Sequence, residues 1–207
     1  PGAQALLIKA GWRAGVDGIL EKKPAKKGAA TTTLAFTLYT ADTADLKAAA
    51  ELVRSQWQKL GASVTVKVFP ATELYQNVIR TRDYDALLFG QVVGKSSDFY
   101  AFWHSSQRNS PGLNVAMYTN SKADRLLENI RVATSTEART AAYRDLNATI
   151  SDDMPAVFLY SPDLIYIVPK SLRGLALGVE TAPMDRFQSI GDWYMETERV
   201  WTFFNKK

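Results

Sequence analysis

The chain contains no cysteine and a single histidine, His104. The first absence removes disulfides, thiolate nucleophiles and cysteine-ligated zinc, and it leaves the redox compartment open. The second removes every metal site built on several histidines. No apolar run approaches the ~20 residues that span a bilayer, and no secretory leader pattern precedes the first helical segment. The chain begins at Pro1 rather than Met, which we read as a fragment or a processed chain. Charge of one sign is scarce as well. The formal net charge is +4, and part of it sits in Lys22, Lys23, Lys26 and Lys27, a Pro-interrupted run that reads as a solvated linker. Nucleic-acid-binding domains concentrate more basic charge along one face or helix, so no nucleic-acid partner is expected.

What is present is a balance of 46% hydrophobic and 22% charged residues over 207 positions. That suits one domain or one large lobe with a buried core. Residues 3–11 carry a helical pattern with Leu6 and Leu7 on one side and Gly11 as a stop. A Gly/Lys/Pro-containing loop is expected through Gly28. Leu34, Phe36 and Leu38 then alternate as a strand. Leu46, Ala50, Val53, Trp57 and Leu60 recur at helical spacing, with Asp42 or Thr43 able to cap the start and Gly61 placed as a C-terminal glycine. Val64, Val66 and Val68 form a second strand. Strand, helix and strand with tight joints predict a βαβ unit with parallel strands.

Further along, 72–80 reads as a helix, and the apolar run Tyr84–Phe89 as a strand buried on both faces. The stretch 90–120 has weak periodicity. Ser121 with Asp124 reads as a capping box opening a helix, and Thr134 with Glu137 as another. Pro155 ends that region. Residues 157–160 and 164–168 read as two strands joined through Ser161-Pro162-Asp163. The tail is rich in aromatics, among them Trp193, Tyr194, Trp201, Phe203 and Phe204.

Catalytic chemistry finds little support. His104 with Ser105 or Ser106 and Asp98 has triad composition, but adjacent residues rarely face each other as a triad needs, and no nucleophile elbow is present. His104 reads instead as a structural residue beside Trp103. Gly90 to Ser96 ends in Gly-Lys-Ser after a strand. It has three residues between its glycines where a phosphate-binding loop has four, so nucleotide binding is not expected. The pairs Asp83/Asp85 and Asp152/Asp153 read as surface or turn residues. No enzyme activity, cofactor or metal site is expected.

The collinear order of short segments carries more information than any one of them. Leu34–Thr40, Trp57–Gly61 and Val64–Val68 are followed by Arg82-Asp83-Tyr84-Asp85-Ala86 with Gly90. Then come Asp98-Phe99-Tyr100-Ala101-Phe102-Trp103 with Ser105, and Asn114 with Tyr118 and Asn120. Asp124 with Leu126 and Leu127 follows, and last Arg139, Tyr143, Ile150, Asp153, Pro155, Leu159-Tyr160 and Gly174. This order resembles the C-terminal lobe of bacterial extracellular solute-binding proteins of family 5, the oligopeptide- and dipeptide-binding components of ABC importers.

The resemblance implies an α/β fold of the periplasmic-binding-protein-like type II class, a mixed sheet flanked by helices. It implies that residues 1–207 are the C-terminal lobe of a two-lobe protein. It also implies capture of a peptide or a related small polar solute in the cleft between lobes, outside the cytoplasm, for delivery to membrane permease subunits. The expected partners are the solute, those permease subunits and the N-terminal lobe of the parent chain, which is expected to be membrane-anchored. A non-transport sensor or scaffold of the same fold is the other reading.

Ligands of α/β sheets collect outside the carboxyl ends of strands. The loop after strand 84–89 therefore supplies the candidates Gln91, Val92, Val93, Gly94 and Lys95, with Asp98. Phe102 and Trp103 read as core packing or as ligand-stacking rings, and Asn114 as a turn cap or a ligand contact. Where the resemblance implies a tryptophan and, three residues on, an amine-pairing aspartate, this chain has Gln91 and Gly94. A further family tryptophan is replaced near Phe69.

Overall fold

Leu6 and Leu7 lie on a first helix, α1 (Gly2–Lys9), which ends where Gly11 turns at φ +93°. The loop expected through Gly28 holds more order than its composition suggests. It contains β1 (Arg13–Ala14) and β2 (Leu20–Lys22), which with β3 (Thr32–Thr33) form an antiparallel sheet in the order β1-β2-β3. Strands of two or three residues are too short to show alternation, so sequence pattern misses them. The computed structural model describes residues 2–15, 17–24, 29–93, 98–178 and 182–195. Of the expected linker, Lys26 and Lys27 lie outside the described residues.

The described residues group into two units, Pro1–Gly90 with Ser106–Val115 and Gln91–Ser105 with Ala116–Lys207. In the first, the βαβ expectation holds. Strand β4 (Ala35–Ala41), helix α2 (Ala44–Lys59) and strand β5 (Ser63–Phe69) follow one another, and β4 pairs parallel with β5 from Ala35↔Ser63 to Ala41↔Phe69. Thr43 stands at the helix N-cap, but its side chain makes no cap hydrogen bond. The predicted face of α2 turns inward: Ala50 is fully buried, with Val53 and Trp57 packed on the same cluster as Leu38 and Val64. Trp57 meets Phe36 edge-on at 5.2 Å. Gly61 closes the unit at φ +92°, a conformation glycine adopts without the steric cost other residues bear.

The other face of β4 is covered by helix α3 (Ala71–Glu73), which continues as a π-helical stretch, Leu74–Ile79. Leu74, Val78 and Ile79 pack there with Ala41, while Tyr39 and Phe69 lean on the cluster. The run 84–89 gives less strand than expected. Only β6 (Ala86–Leu87) joins β4, in the sheet order β5-β4-β6, and its residues are half-buried rather than enclosed on both faces. The flanking side chains make other bonds: Asp85 accepts the Thr37 N–H of β4 at 2.9 Å, and the Tyr84 hydroxyl donates to the Val115 carbonyl. Parallel and antiparallel pairing thus occur in separate sheets among the described residues, in an α/β fold.

The second unit is built on helices. Helix α4 (Tyr100–Trp103) falls in the stretch that lacked periodicity, because four residues make barely one turn. Helices α5 (Ser121–Val132) and α6 (Thr136–Asp153) pack their apolar sides together, Leu127 and Ile130 against Leu146 and Ile150, with Trp103 and Tyr118 completing the core. Both expected caps shift by one residue. Asn120, not Ser121, caps α5 by accepting from the N–H groups of Lys122 and Ala123 at 2.8 and 3.2 Å. Ser135, not Thr134, caps α6 through the Ala138 N–H at 3.1 Å. Asp124 serves another purpose, accepting from the Ser105 N–H at 2.9 Å and its hydroxyl at 2.6 Å.

Met154, in the left-handed region at φ 48°, ends α6 just before Pro155. The strands expected at 157–160 and 164–168 are not present; the backbone there takes no regular structure. A short antiparallel pair, β7 (Leu172–Arg173) with β8 (Tyr194–Met195), closes the described chain. Of the aromatic tail, Trp201, Phe203 and Phe204 lie outside the described residues.

Candidate functional site

In the first unit the carboxyl ends of the three parallel strands lie side by side. The Asp42 N–H donates to the Phe69 carbonyl at 2.8 Å, the Leu88 N–H to the Tyr39 carbonyl at 2.8 Å, and the buried Thr40 hydroxyl to the Leu88 carbonyl at 3.2 Å. The chain therefore leaves the sheet at 42, 70 and 89 from adjacent positions, the arrangement in which open α/β sheets hold ligands. Tyr39 and Phe69 stack there at 6.0 Å, and Lys67 stands 5.5 Å from the Tyr39 ring centre. Asp42 pairs with Lys47 at 2.6 Å, so its charge is already balanced. Phe89 and Gly90 follow, both exposed.

From the candidate list, Gln91 and Val92 are exposed, Val92 to 75%, and Val93 is half-buried. Gly94 and Lys95 lie outside the described residues, as does the whole of the Gly-Lys-Ser run. Asp98 is engaged: its oxygens accept from Arg131 at 2.6 to 3.2 Å and from the Tyr100 N–H at 3.1 Å. The Arg131 bond holds its carboxyl below the ordinary aspartate range, against the opposing effect of burial. Phe102 is half-buried against the helical core, and Trp103 is 8% exposed, edge-on to Tyr118 at 6.2 Å and Phe158 at 5.9 Å. Asn114 is wholly buried in the first unit, and its N–H donates to the Gln107 carbonyl at 3.0 Å. Asp98, Phe102 and Trp103 share the second unit, whereas Asn114 belongs to the first.

Several groupings of residues escape a sequence reading. Asp98, Ile130, Arg131, Arg139 and Tyr143 line a shallow cavity of about 270 Å³. Arg131 also lies 3.8 Å from the Tyr100 ring centre, and Tyr100 stacks on His104 at 4.1 Å. His104 keeps its structural place, with Nε2 3.5 Å from Glu128. Tyr118 donates to Asp153 at 2.6 Å, as does the Asn120 side chain. Burial first, and the Asp153 bond next, push the Tyr118 hydroxyl far above the usual phenol range, while the same bond lowers Asp153. Partners 33 or 35 positions apart leave no spacing to read. Among the described residues no histidine and carboxylate cluster is arranged to hold a metal, and no helix is long and apolar enough to cross a membrane.

Comparison with known proteins adds relatives to this geometry. Oligopeptide-binding protein AppA of Bacillus subtilis is 29% identical over 175 residues, which is 83% of this chain and 31% of that protein. The probable D,D-dipeptide-binding periplasmic protein DdpA of Escherichia coli is 27% identical over 146 residues, 69% of this chain and 28% of that one. The solved structure of AppA with a nonapeptide superposes with a TM-score of 0.72 at 27% identity, over 94% of this chain and 37% of the AppA chain. The chain thus spans about a third of the length of these relatives. The model of bacterial extracellular solute-binding proteins, family 5 Middle, matches residues 1–112, and the chain belongs to that family.

Proposed function

We propose that this chain is part of the substrate-binding component of an ABC importer. It captures a peptide or a related small polar solute in a cleft between two lobes, and residues 1–207 supply the C-terminal one. The N-terminal lobe of the parent chain, the solute and the membrane permease subunits are its partners. The protein works outside the cytoplasm, held to a membrane by its parent chain, and performs no catalysis. One observation carries this reading: a 0.72 superposition at 27% identity on a structure that holds a nonapeptide. The adjacent carboxyl ends of β4, β5 and β6 support it, since they offer a place for a solute beside Phe69 and Phe89. Ligand closure of such a clamshell follows from differential affinity for the closed form.

The test is a thermal-shift titration of the full-length parent against di- to oligopeptides, sugars, amino acids and metal chelates. A ligand that binds only the folded state raises the melting temperature with dose. Peptides are expected to do so. A shift with another solute alone changes the cargo and keeps the cleft. Silence across the panel favours a sensor or scaffold.

A further inference from the structure

The shallow cavity of about 270 Å³ lined by Asp98, Ile130, Arg131, Arg139 and Tyr143 lies within the second unit, at the end of α5 and the beginning of α6. Its two arginines stand in different electrical surroundings. Arg131 is neutralised by Asp98, which accepts from it at 2.6 to 3.2 Å. Arg139 is not. Its one hydrogen bond among the described residues goes to the uncharged Ala133 carbonyl at 3.1 Å. Two arginines against one aspartate leave the wall with a single net positive charge. The rest of the lining is a buried apolar side chain, Ile130, and a phenol, Tyr143, backed edge-on by Phe99 at 5.7 Å. Burial first, and the Asp98 charge next, push the Tyr143 hydroxyl above the usual phenol range against the pull of Arg139. At neutral pH it is therefore a protonated donor.

We propose that this cavity binds a small organic monocarboxylate, held by the Arg139 guanidinium and the Tyr143 hydroxyl with its apolar body against Ile130. A planar guanidinium fork matches a carboxylate with two parallel N–H···O bonds. One uncompensated charge suits a monoanion better than a phosphate dianion. An amino acid fits less well, because Asp98 already accepts from Arg131 on both oxygens and from the Tyr100 N–H, so an ammonium group finds no uncommitted acceptor. The volume falls just below the ~300 Å³ at which pockets for drug-sized ligands begin, which limits the body to a few carbons. The carboxylate is additional to the solute held at the strand ends, and its binding does not depend on which solute the parent carries.

The experiment treats the full-length parent with phenylglyoxal, an arginine reagent, and follows each arginine by peptide mass spectrometry. Isobutyrate is the probe, and sodium chloride keeps the ionic strength constant so that general screening cancels. Isobutyrate is expected to protect Arg139 saturably, half-maximally at roughly millimolar concentration, as so few atoms allow. At about ten times that concentration modification should slow about tenfold, because only the unliganded fraction reacts. Arg125, exposed on α5 and outside the cavity, should react at its usual rate. Inorganic phosphate should protect less, and isobutylamine not at all. Tyr143→Phe keeps the ring and removes the donor, so it should raise the half-protecting concentration about fivefold. Absence of saturable protection, equal protection of Arg125 or by chloride alone, or protection by isobutylamine would each overturn the proposal. So would stronger protection by phosphate, or unchanged protection in Tyr143→Phe.

Discussion

Asp98 and Arg131 form a two-point ion pair, with Arg131 donating from Nε at 3.1 and 3.2 Å and from its terminal amino group at 2.6 Å. The pair fastens the stretch before α4 to the last turn of α5. Both side chains remain about half in water, so the pair is worth at most about 1 kcal/mol. Asp98→Asn should therefore lower the melting temperature by only a few degrees and leave the solute-induced shift intact. Loss of that shift with unchanged stability would instead put Asp98 against the solute. The pH dependence has a definite sign. The folded carboxyl sits below its unfolded value, so the contribution is present above the ordinary aspartate range near ~4 and lost as pH falls through the folded value. The variant should lose less stability than the parent on acidification through that window.

Tyr118, a residue of the helical core, points its hydroxyl at the exposed Asp153. The folded state favours its protonated form, so stability from this group is present below the usual phenol value near ~10 and falls as pH rises beyond it. Burial also raises Tyr84 and Tyr143, so absorbance at alkaline pH should show several tyrosines ionising after the exposed ones, with Tyr118 the latest component. That late component should disappear in Tyr118→Phe. If every tyrosine ionises together while the protein is folded, the bond is not made.

Leu127 is 1% exposed at the contact of α5 and α6. Truncation to alanine removes most of its buried volume, and such changes cost about 2–5 kcal/mol. Denaturant melts of Leu127→Ala should show a loss in that range, and amide exchange should quicken first in α5 and α6. A loss below about 1 kcal/mol would mean that the core repacks around the vacancy.

Gly61 joins α2 to β5 at φ +92°, and a Cβ there would stand 2.8 Å from Leu20 Cγ. Gly61→Ala combines left-handed strain with that approach and should cost about 1–3 kcal/mol. Circular dichroism melts would read it, and a neutral result would require the joint to relax to negative φ.

Gln91 and Val92 are exposed where the chain continues from the sheet end. Val92→Asp and Gln91→Ala should leave the melting temperature of the unliganded parent unchanged while weakening solute binding about tenfold or more, a change of about 1.4 kcal/mol. Calorimetric titration with the solute found in the thermal screen would measure it. Unchanged affinity in both variants would move the site off this loop.

How much was legible depended on how local each cause was. The spacing from Leu46 to Leu60 and the alternation at 64–68 gave α2 and β5 directly, because burial of one face repeats along the chain with the element's own period. The capping residues Asn120 and Ser135 lay one position from the expected ones. Several polar residues compete at a helix start, and backbone geometry decides which one reaches the free N–H groups. Asp124 fitted a capping box by spacing but turned to Ser105, a partner only the packing of α4 on α5 brings near. The candidate loop came from the strand-end rule, while Arg131, Arg139 and Tyr143 were not joined to Asp98 because nothing in spacing links them.

By itself the sequence determined the βαβ unit, the pair of helices that follows it and the lack of cysteine-based or multi-histidine chemistry, since each depends on residue type and near-neighbour period. Only the tertiary structure decided which charges pair, which aromatic rings are buried and which remain open to solvent. The same β-rich letters at 64–68 and 164–168 make the point. The first became a strand because β4 lies beside it with free carbonyls and amides, and the second has no such neighbour among the described residues. A strand is completed by its partner, and the partner is not written in its own residues.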